Sequence, residues 1–195
     1  ADAVGKEVAA DMKIEGERII LRPIMPSDFP EIVKWTKDPE VGHYMEDDGY
    51  PETLADCQEW YEKQRSNRHI RRLVITTRNG VPIGDIELDH IAWRSGDAEL
   101  RIRIGEGDYR GKGYGLESVT ALLCYAFGEM KLSRVYLRVA STNRPAIRCY
   151  EKAGFKKEGK LIRTRSSEEL REIYLMRILR DEFYELHPQY RLLAG

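Results

Sequence analysis

The chain has 195 residues, of which 42% are hydrophobic and 33% charged, and its formal net charge is −1. This size and composition are typical of one globular domain with a single core. A charge so close to neutrality gives no bulk attraction to nucleic acid or to a membrane surface, so we expect neither as a partner. No apolar run approaches the roughly 18 residues of a membrane-spanning helix and no signal-type segment is visible, which predicts a cytoplasmic protein.

The pattern of apolar residues predicts alternating strands and helices without repeats or long linkers. Strands are predicted over residues 18–23, 72–77, 83–93, 96–105 and 134–139, with a closing hairpin over 155–179. Helices are predicted from the Ser27–Asp28 cap to about Lys37, and over 53–67, 112–130 and 143–153. Residues 1–17 have weak periodicity and are assigned to an extension that can be disordered, 18–185 to one domain, and 186–195 to a tail. The fold class is α/β with a central mixed sheet.

The three cysteines, Cys57, Cys124 and Cys149, are far apart and include no Cys-x-x-Cys pair. We interpret them as reduced thiols rather than as disulfides or zinc ligands. No set of His, Cys and carboxylate residues has the spacing of a catalytic metal site, so no metal is predicted.

The most informative segment is Arg110-Gly-Lys-Gly-Tyr-Gly115, which lies between a predicted strand and a predicted helix. Its glycines at alternate positions let the backbone approach an anion, and the helix that follows directs free N–H groups at the same place. The segment therefore predicts a phosphate-binding loop. It is not a P-loop, because Gly113 stands where Ser or Thr must follow Lys112. Leu116 in the third glycine position excludes the dinucleotide-binding fingerprint.

A second motif begins 28 residues after Gly115 and reads Asn143-Arg-Pro-Ala-Ile-Arg-Cys-Tyr-Glu-Lys-Ala-Gly-Phe155. In this order and spacing the two segments resemble the GNAT superfamily of acetyl-CoA-dependent N-acetyltransferases. That family has the loop Arg/Gln-x-x-Gly-x-Gly/Ala and a later Asn-x-x-Ala-x-x-x-Tyr-x-x-x-Gly-Phe segment. The resemblance runs from about Arg18 to Glu185 and is closest to the RimJ/RimL-like branch. It implies a GNAT-like α+β fold with a splayed, mixed sheet flanked by helices on both faces, and acetyl-CoA as co-substrate.

The resemblance implies mostly backbone contacts with the cofactor. Amides around Ile102, Arg103 and Ile104 would bind the pantetheine arm and polarise the thioester carbonyl. The pyrophosphate would be held by the loop residues Arg110, Gly111, Lys112, Gly113, Tyr114 and Gly115. Asn143 is predicted to cap the helix that follows it, and in the family this residue also holds the cofactor or a water. Arg148 belongs to a stripe with Arg144 and Lys152, which is either a 3′-phosphate contact or a solvated helix face.

Two residues are candidates for proton transfer. The resemblance places the general acid, which protonates the departing thiolate, at Tyr150; the alternative is an aromatic core residue. A primary amine has a pKa near ~10.4 and must lose a proton before it attacks. Glu99 is the candidate base, and its alternative role is a salt bridge to an arginine of a neighbouring strand. Rival bases on the preceding strand are Asp85, Glu87, Asp89 and His90.

Charge is unevenly distributed along the chain. Residues 38–62 contain nine Asp and Glu residues and no Lys or Arg, whereas residues 63–84 contain six Lys and Arg residues and no Asp or Glu. The acidic segment is either a solvated helix face or the lining of the acceptor site. In the second interpretation, Glu46, Asp47 and Asp48 bind a cationic amine.

The predicted activity is direct transfer of an acetyl group from acetyl-CoA to a primary amine. The acceptor is a cationic small molecule or a protein N-terminus. Residues 53–56 and 146–155 are similar to stretches of aminoglycoside 6′-N-acetyltransferases, and residues 41–52 to bacterial spermidine N-acetyltransferases. The alternative is a non-catalytic acyl-CoA-binding module, but a sensor would need only the glycine loop, so the presence of Tyr150 with Asn143 favours the enzyme. A homodimer is left open as the assembly.

Overall fold

The computed structural model describes residues 12–43, 45, 49–166 and 169–191. The strands are β1 Ile14–Glu15, β2 Ile19–Pro23, β3 Arg71–Thr77, β4 Pro82–Ala92, β5 Asp97–Ile104, β6 Arg134–Ala140, β7 Lys156–Ser166 and β8 Glu169–Leu179. The helices are α1 Phe29–Lys37, α2 Pro39–Gly42, α3 Leu54–Ser66, α4 Tyr114–Gly128, α5 Arg144–Ala153, α6 Arg180–Leu186 and α7 Pro188–Arg191. Every strand predicted from the sequence is present, with bounds that agree within one or two residues.

One sheet contains all of these strands, in the order β1-β2-β3-β4-β5-β6-β8-β7. Neighbouring strands are antiparallel except β5 and β6, which are parallel, so the sheet is mixed as predicted. The β5–β6 ladder contains only the pairs from Asp97↔Arg134 to Glu99↔Tyr136, although both strands continue. The two strands therefore separate beyond Glu99 and leave a splay in the centre of the sheet.

Helices pack on both faces of the sheet, and the alternation of side chains along β3 shows the two layers. Leu73 and Ile75 join the larger core, to which α4 contributes Leu122 and Phe127. Val74, between them, joins a second cluster with Trp35 of α1 and other residues of α1 and α3. The sandwich predicted from the sequence is confirmed.

Short elements at the periphery were not predicted. β1 lies inside the segment that the sequence assigned to an extension, and it exists through pairing of Ile14 with Leu21. α2 is a single turn that Asp38 caps, its Oδ1 accepting from the N–H of Glu40 at 2.9 Å. The ring of Tyr190 in α7 stacks on Phe183 at 6.0 Å between centroids.

Candidate functional site

The splay exposes one backbone edge of β5. Beyond Glu99, β5 pairs with β4 on one side, and none of the described strands pairs with its other side. Ile102 and Ile104 on this stretch are half-buried against the larger core. A free strand edge can hydrogen-bond to an extended amide-containing chain, as an added strand does.

The glycine loop follows this edge directly. Gly111 and Gly113 have φ angles of 70° and 86°, which lie in the left-handed region that glycine adopts without strain. Gly113 is the N-cap of α4, which explains why the helix begins two residues later than predicted. The first helical hydrogen bond runs from the N–H of Glu117 to the carbonyl of Gly113 at 3.1 Å. The backbone N–H groups of the first helical turn therefore come before the hydrogen bonds within the helix, and this end of α4 is suited to bind an anion.

The start of α4 lies between β5 and α5. A Cβ on Gly115 would be 3.9 Å from the Sγ of Cys149 in α5 and 3.9 Å from the Cγ1 of Ile104 in β5. The structure thus brings the two sequence motifs together at the splay, although 28 residues separate Gly115 from Asn143.

The side chain of Arg110 turns away from the loop and caps the end of β5. Its Nε and Nη2 donate to the carbonyls of Ile104 and Gly105, each at 2.9 Å. Its Nη1 donates to Glu40 of α2 at 3.0 Å. The guanidinium therefore fixes the backbone of the loop, whereas sequence reasoning had assigned Arg110 only to cofactor binding. Contact of its amide with a phosphate stays a prediction.

Helix α1 is also fastened to the end of β5. Glu106 accepts hydrogen bonds from Lys34 at 2.6 Å and from the indole N–H of Trp35 at 2.9 Å, and these hold its pKa below the ordinary value. A Cβ on Gly105 would lie 2.1 Å from Cγ of Trp35, so glycine is required for this close approach.

Arg18 braces the glycine loop from the other side, a role that sequence reasoning missed. Its Nη1 donates to the carbonyl of Lys112 at 3.0 Å, and its guanidinium lies 4.2 Å from the ring centroid of Tyr114. Its Nε donates to Glu117 at 2.9 Å. The only signal in the sequence was an acidic residue, Glu117, in the first turn of α4. Nothing in the sequence indicated that its partner is Arg18, 99 residues away. The Nζ of Lys112 donates to the carbonyl of Asp108 at 2.6 Å.

Tyr150 lies on α5 and is buried in the larger core. Its ring packs edge-on against Phe155 with 5.9 Å between centroids. Burial raises the pKa of Tyr150, and the neighbouring Cys149 raises it further, so the phenol keeps its proton at neutral pH. Asn143 caps this helix as predicted, its Oδ1 accepting from the N–H of Ala146 at 3.3 Å.

Glu99 is buried at the last pair of the β5–β6 ladder. Nε and Nη2 of Arg138 on β6 donate to its Oε1 at 3.1 and 2.9 Å. The structure thus shows the salt bridge that the sequence analysis gave as the alternative, and the role of Glu99 as base stays a prediction.

The rival carboxylates on β4 are paired with arginines. Asp85 accepts from Arg103 at 2.8 Å, and Glu87 accepts from Arg72 at 2.7 Å and from Arg101 at 2.5 Å. Arg103 also donates to Thr36 of α1 at 3.0 Å, which buries its side chain under that helix. Beside the apolar cluster around Val74, the face of the sheet below α1 and α3 therefore carries a buried ionic layer formed by these pairs.

The predicted acceptor residues Glu46, Asp47 and Asp48 lie outside the described residues. Acids elsewhere in the segment have structural partners. Asp56 forms a capping box with Thr53 at the start of α3, and Glu59 pairs with Lys63 at 2.8 Å. The solvated-face interpretation therefore holds for this part of α3.

The basic stripe on α5 remains available for a ligand. Arg144, Arg148 and Lys152 are exposed. None of them forms an ion pair with a described residue, so a 3′-phosphate contact by Arg148 stays a prediction.

A groove of about 780 Å³ runs along the outer side of α4, lined by β1 residues, Thr120 and Tyr190. It reaches Gly113 but neither Tyr150 nor Glu99, so the splay and not this groove unites the motifs. Among the described residues no helix is long and apolar enough to cross a bilayer.

The comparison with known families decides the assignment. A model for the acetyltransferase (GNAT) domain matches residues 18–156. The chain belongs to the GNAT acetyltransferase family. It is an acetyl-CoA-dependent N-acetyltransferase, and the fold predicted from the resemblance is confirmed.

Individual proteins that are similar to this chain are also N-acetyltransferases. An uncharacterized N-acetyltransferase from an SPbeta prophage, YokL of Bacillus subtilis (strain 168), is 32% identical over 146 residues, which cover 75% of this chain and 80% of YokL. The aminoglycoside N(6′)-acetyltransferase type 1 of Klebsiella pneumoniae is 27% identical over 154 residues, covering 73% of this chain and 76% of that protein. The crystal structure of spermidine N-acetyltransferase from Vibrio cholerae in complex with CoA and spermine superposes with a TM-score of 0.77. It is 27% identical and covers 85% of this chain and 98% of that one.

Proposed function

We propose that this acetyltransferase modifies a primary amine of a cationic small molecule, a polyamine or an aminoglycoside, by direct transfer from acetyl-CoA. The observation that supports the proposal is the splay of β5 from β6, with the glycine loop following β5 and with α5, the helix that carries Tyr150, packed against the start of α4. The choice of acceptor rests on the relatives, which include spermidine and aminoglycoside acetyltransferases. The non-catalytic binding module is not favoured.

The residues at the splay fit acetyl-CoA, which supplies the thioester when bound. The free edge of β5 at Ile102, Arg103 and Ile104 offers backbone groups to the pantetheine arm. The glycine loop and the first turn of α4 offer amides to the pyrophosphate. Asn143, the N-cap of α5, and Arg148, exposed on the same helix, would contact the rest of the cofactor.

In this proposal Tyr150 protonates the leaving thiolate. A free thiol has a pKa near ~8.5 and a free phenol near ~10, so the transfer is uphill in water. Burial raises the pKa of Tyr150 further. A thiolate held in the same site would also lose hydration, which would raise its pKa too and would let a phenol within hydrogen-bond reach act as the acid.

Glu99 is the proposed proton acceptor for the amine, directly or through water. At neutral pH, producing the free amine costs about 4–5 kcal/mol, at 1.36 kcal/mol per pKa unit. Both hydrogen bonds from Arg138 end on Oε1 of Glu99, so the pairing constrains one oxygen of the carboxylate.

A turnover screen tests the proposed function. Purified enzyme and acetyl-CoA are mixed with polyamines, aminoglycosides or short peptides, thiol release is followed, and products are identified by mass spectrometry. We expect acetylation of at least one polyamine or aminoglycoside. Acetylation of peptide N-termini alone would overturn the choice of acceptor. Tight binding of acetyl-CoA without turnover on any amine would support the binding module.

A further inference from the structure

Tyr50 lies in the segment between α2 and α3 and carries a buried hydroxyl group. Its hydroxyl oxygen is buried and has no hydrogen-bond partner among the described residues. Such a group costs about 1–3 kcal/mol when it is left unpaired. Because an unpaired buried hydroxyl does not stabilise the protein, a bound ligand is a candidate for its hydrogen-bond partner.

The position of Tyr50 relates this hydroxyl to the splay. The ring centroid lies 3.9 Å from the guanidinium carbon of Arg103 and 5.5 Å from that of Arg101. Both arginines belong to the part of β5 that continues after β6 has separated. Cation–π contact with these side chains holds the ring over the ionic face of β5, along the stretch of that strand where β6 has separated.

Charged groups surround the hydroxyl. The carboxylates of Asp85 and Glu87 act on it electrostatically, and each also accepts a hydrogen bond from an arginine. Arginine side chains only donate hydrogen bonds, so they offer nothing to an incoming N–H group. Burial, followed by the effect of these two carboxylates, raises the pKa of Tyr50, and the two arginines oppose it. The hydroxyl therefore stays neutral and its oxygen can accept from an amine.

We propose that Tyr50 is a substrate-binding residue whose hydroxyl oxygen accepts a hydrogen bond from the acceptor amine on the ionic side of the splay. This inference rests on the proposed function and adds a residue to the acceptor site. In this arrangement the amine and acetyl-CoA bind on opposite faces of the sheet. The amine lies on the ionic face, whereas the glycine loop adjoins α4, which packs on the apolar face.

The test is Tyr50→Phe, which keeps the ring over Arg103 and removes only the hydroxyl. The KM for the amine should rise about tenfold or more, the loss of one hydrogen bond to a charged group. The affinity for acetyl-CoA should be unchanged. The melting temperature of the free enzyme should be equal or higher, because an unpaired buried hydroxyl has been removed. A structural hydrogen bond would give the opposite change in stability.

Tyr61→Phe is the matched control. Tyr61 lies on α3, and the centroid of its ring is 5.7 Å from that of Phe29. Removal of its hydroxyl should change neither the KM for the amine nor the KM for acetyl-CoA. An unchanged amine KM in Tyr50→Phe, with an active wild type, overturns this inference alone. A melting temperature several degrees lower in Tyr50→Phe also overturns it. A wild type that acetylates no amine overturns the proposed function and this inference with it.

Discussion

Replacing Gly113 by valine tests the phosphate-binding role of the glycine loop. At a φ of 86° a β-branched residue costs about 1–3 kcal/mol in backbone strain. The new Cβ would lie 3.1 Å from Nη2 of Arg18, the end of a flexible side chain that can move. This cost is a fraction of the roughly 5–15 kcal/mol that stabilises a typical domain, so we expect the variant to fold.

The loss of cofactor affinity should be larger than the loss of stability. The valine side chain stands at the N-cap of α4, beside the amides that precede the first helical hydrogen bond. Hydrogen bonds to charged groups contribute about 1.5–3 kcal/mol each. Blocking two of them weakens acetyl-CoA binding by about 10²–10⁴-fold. Isothermal titration calorimetry measures the affinity, and urea unfolding measures the stability.

Gly80→Val is the matched control for the backbone strain. Gly80 has a φ of 83° in the turn between β3 and β4, and a Cβ there would meet nothing within 4 Å. Its stability loss should resemble that of Gly113→Val, while its affinity for acetyl-CoA stays at the wild-type value. A folded Gly113→Val protein that binds acetyl-CoA normally would refute the reasoning.

Four further outcomes are expected. Tyr150→Phe should lower turnover by about 10²–10⁴-fold in steady-state kinetics without weakening acetyl-CoA binding, and near-normal turnover would place the acid elsewhere. Burial raises the pKa of Tyr150 in the folded state above the value of about 10 in the unfolded state, so the neutral phenol contributes stability that is fully present below about pH 10. That stability is lost as the pH rises through the folded pKa. The free energy of unfolding near ~pH 11 should therefore fall more steeply with pH for the wild type than for Tyr150→Phe. Arg110→Lys, which loses the planar fork on two carbonyls, should lower the melting temperature and acetyl-CoA affinity together, and an unchanged melting temperature would contradict the capping role. Changing Glu46, Asp47 and Asp48 to their amides should raise the KM for a polyamine and flatten its salt dependence, and an unchanged salt response would make them a solvated face.

The elements that the sequence predicted well are those whose ends depend on local chemistry. Helix α5 was predicted within one residue, because Asn143 caps its start and Gly154 in the left-handed region ends it. Strands β1 and β2 show the contrast. β2 alternates Ile19 and Leu21 into the core, whereas the two residues of β1 become a strand only through their partners on β2.

The site divides in the same way. The glycine loop was predictable because its backbone conformation depends on its own residues, as the positive φ of Gly113 shows. The pairing of Arg110 with Glu40 was not, since Glu40 is 70 residues away and its approach depends on the packing of α1 and α2 against the end of β5. Tyr50 gave no signal at all, because an unpaired hydroxyl is a property of the surrounding fold.

The alternation of β5 gives the splay two chemically different sides. Leu100 and Ile102 face the apolar core that α4 covers, while Arg101 and Arg103 face the ionic layer below α1. Where β6 has separated, these two environments meet across the thickness of a single sheet. A cofactor bound along the strand edge could thus keep its thioester on the water-poor side while a cationic amine approaches from the ionic side. The transfer would then need no covalent enzyme intermediate, because the two substrates would meet in the opening itself.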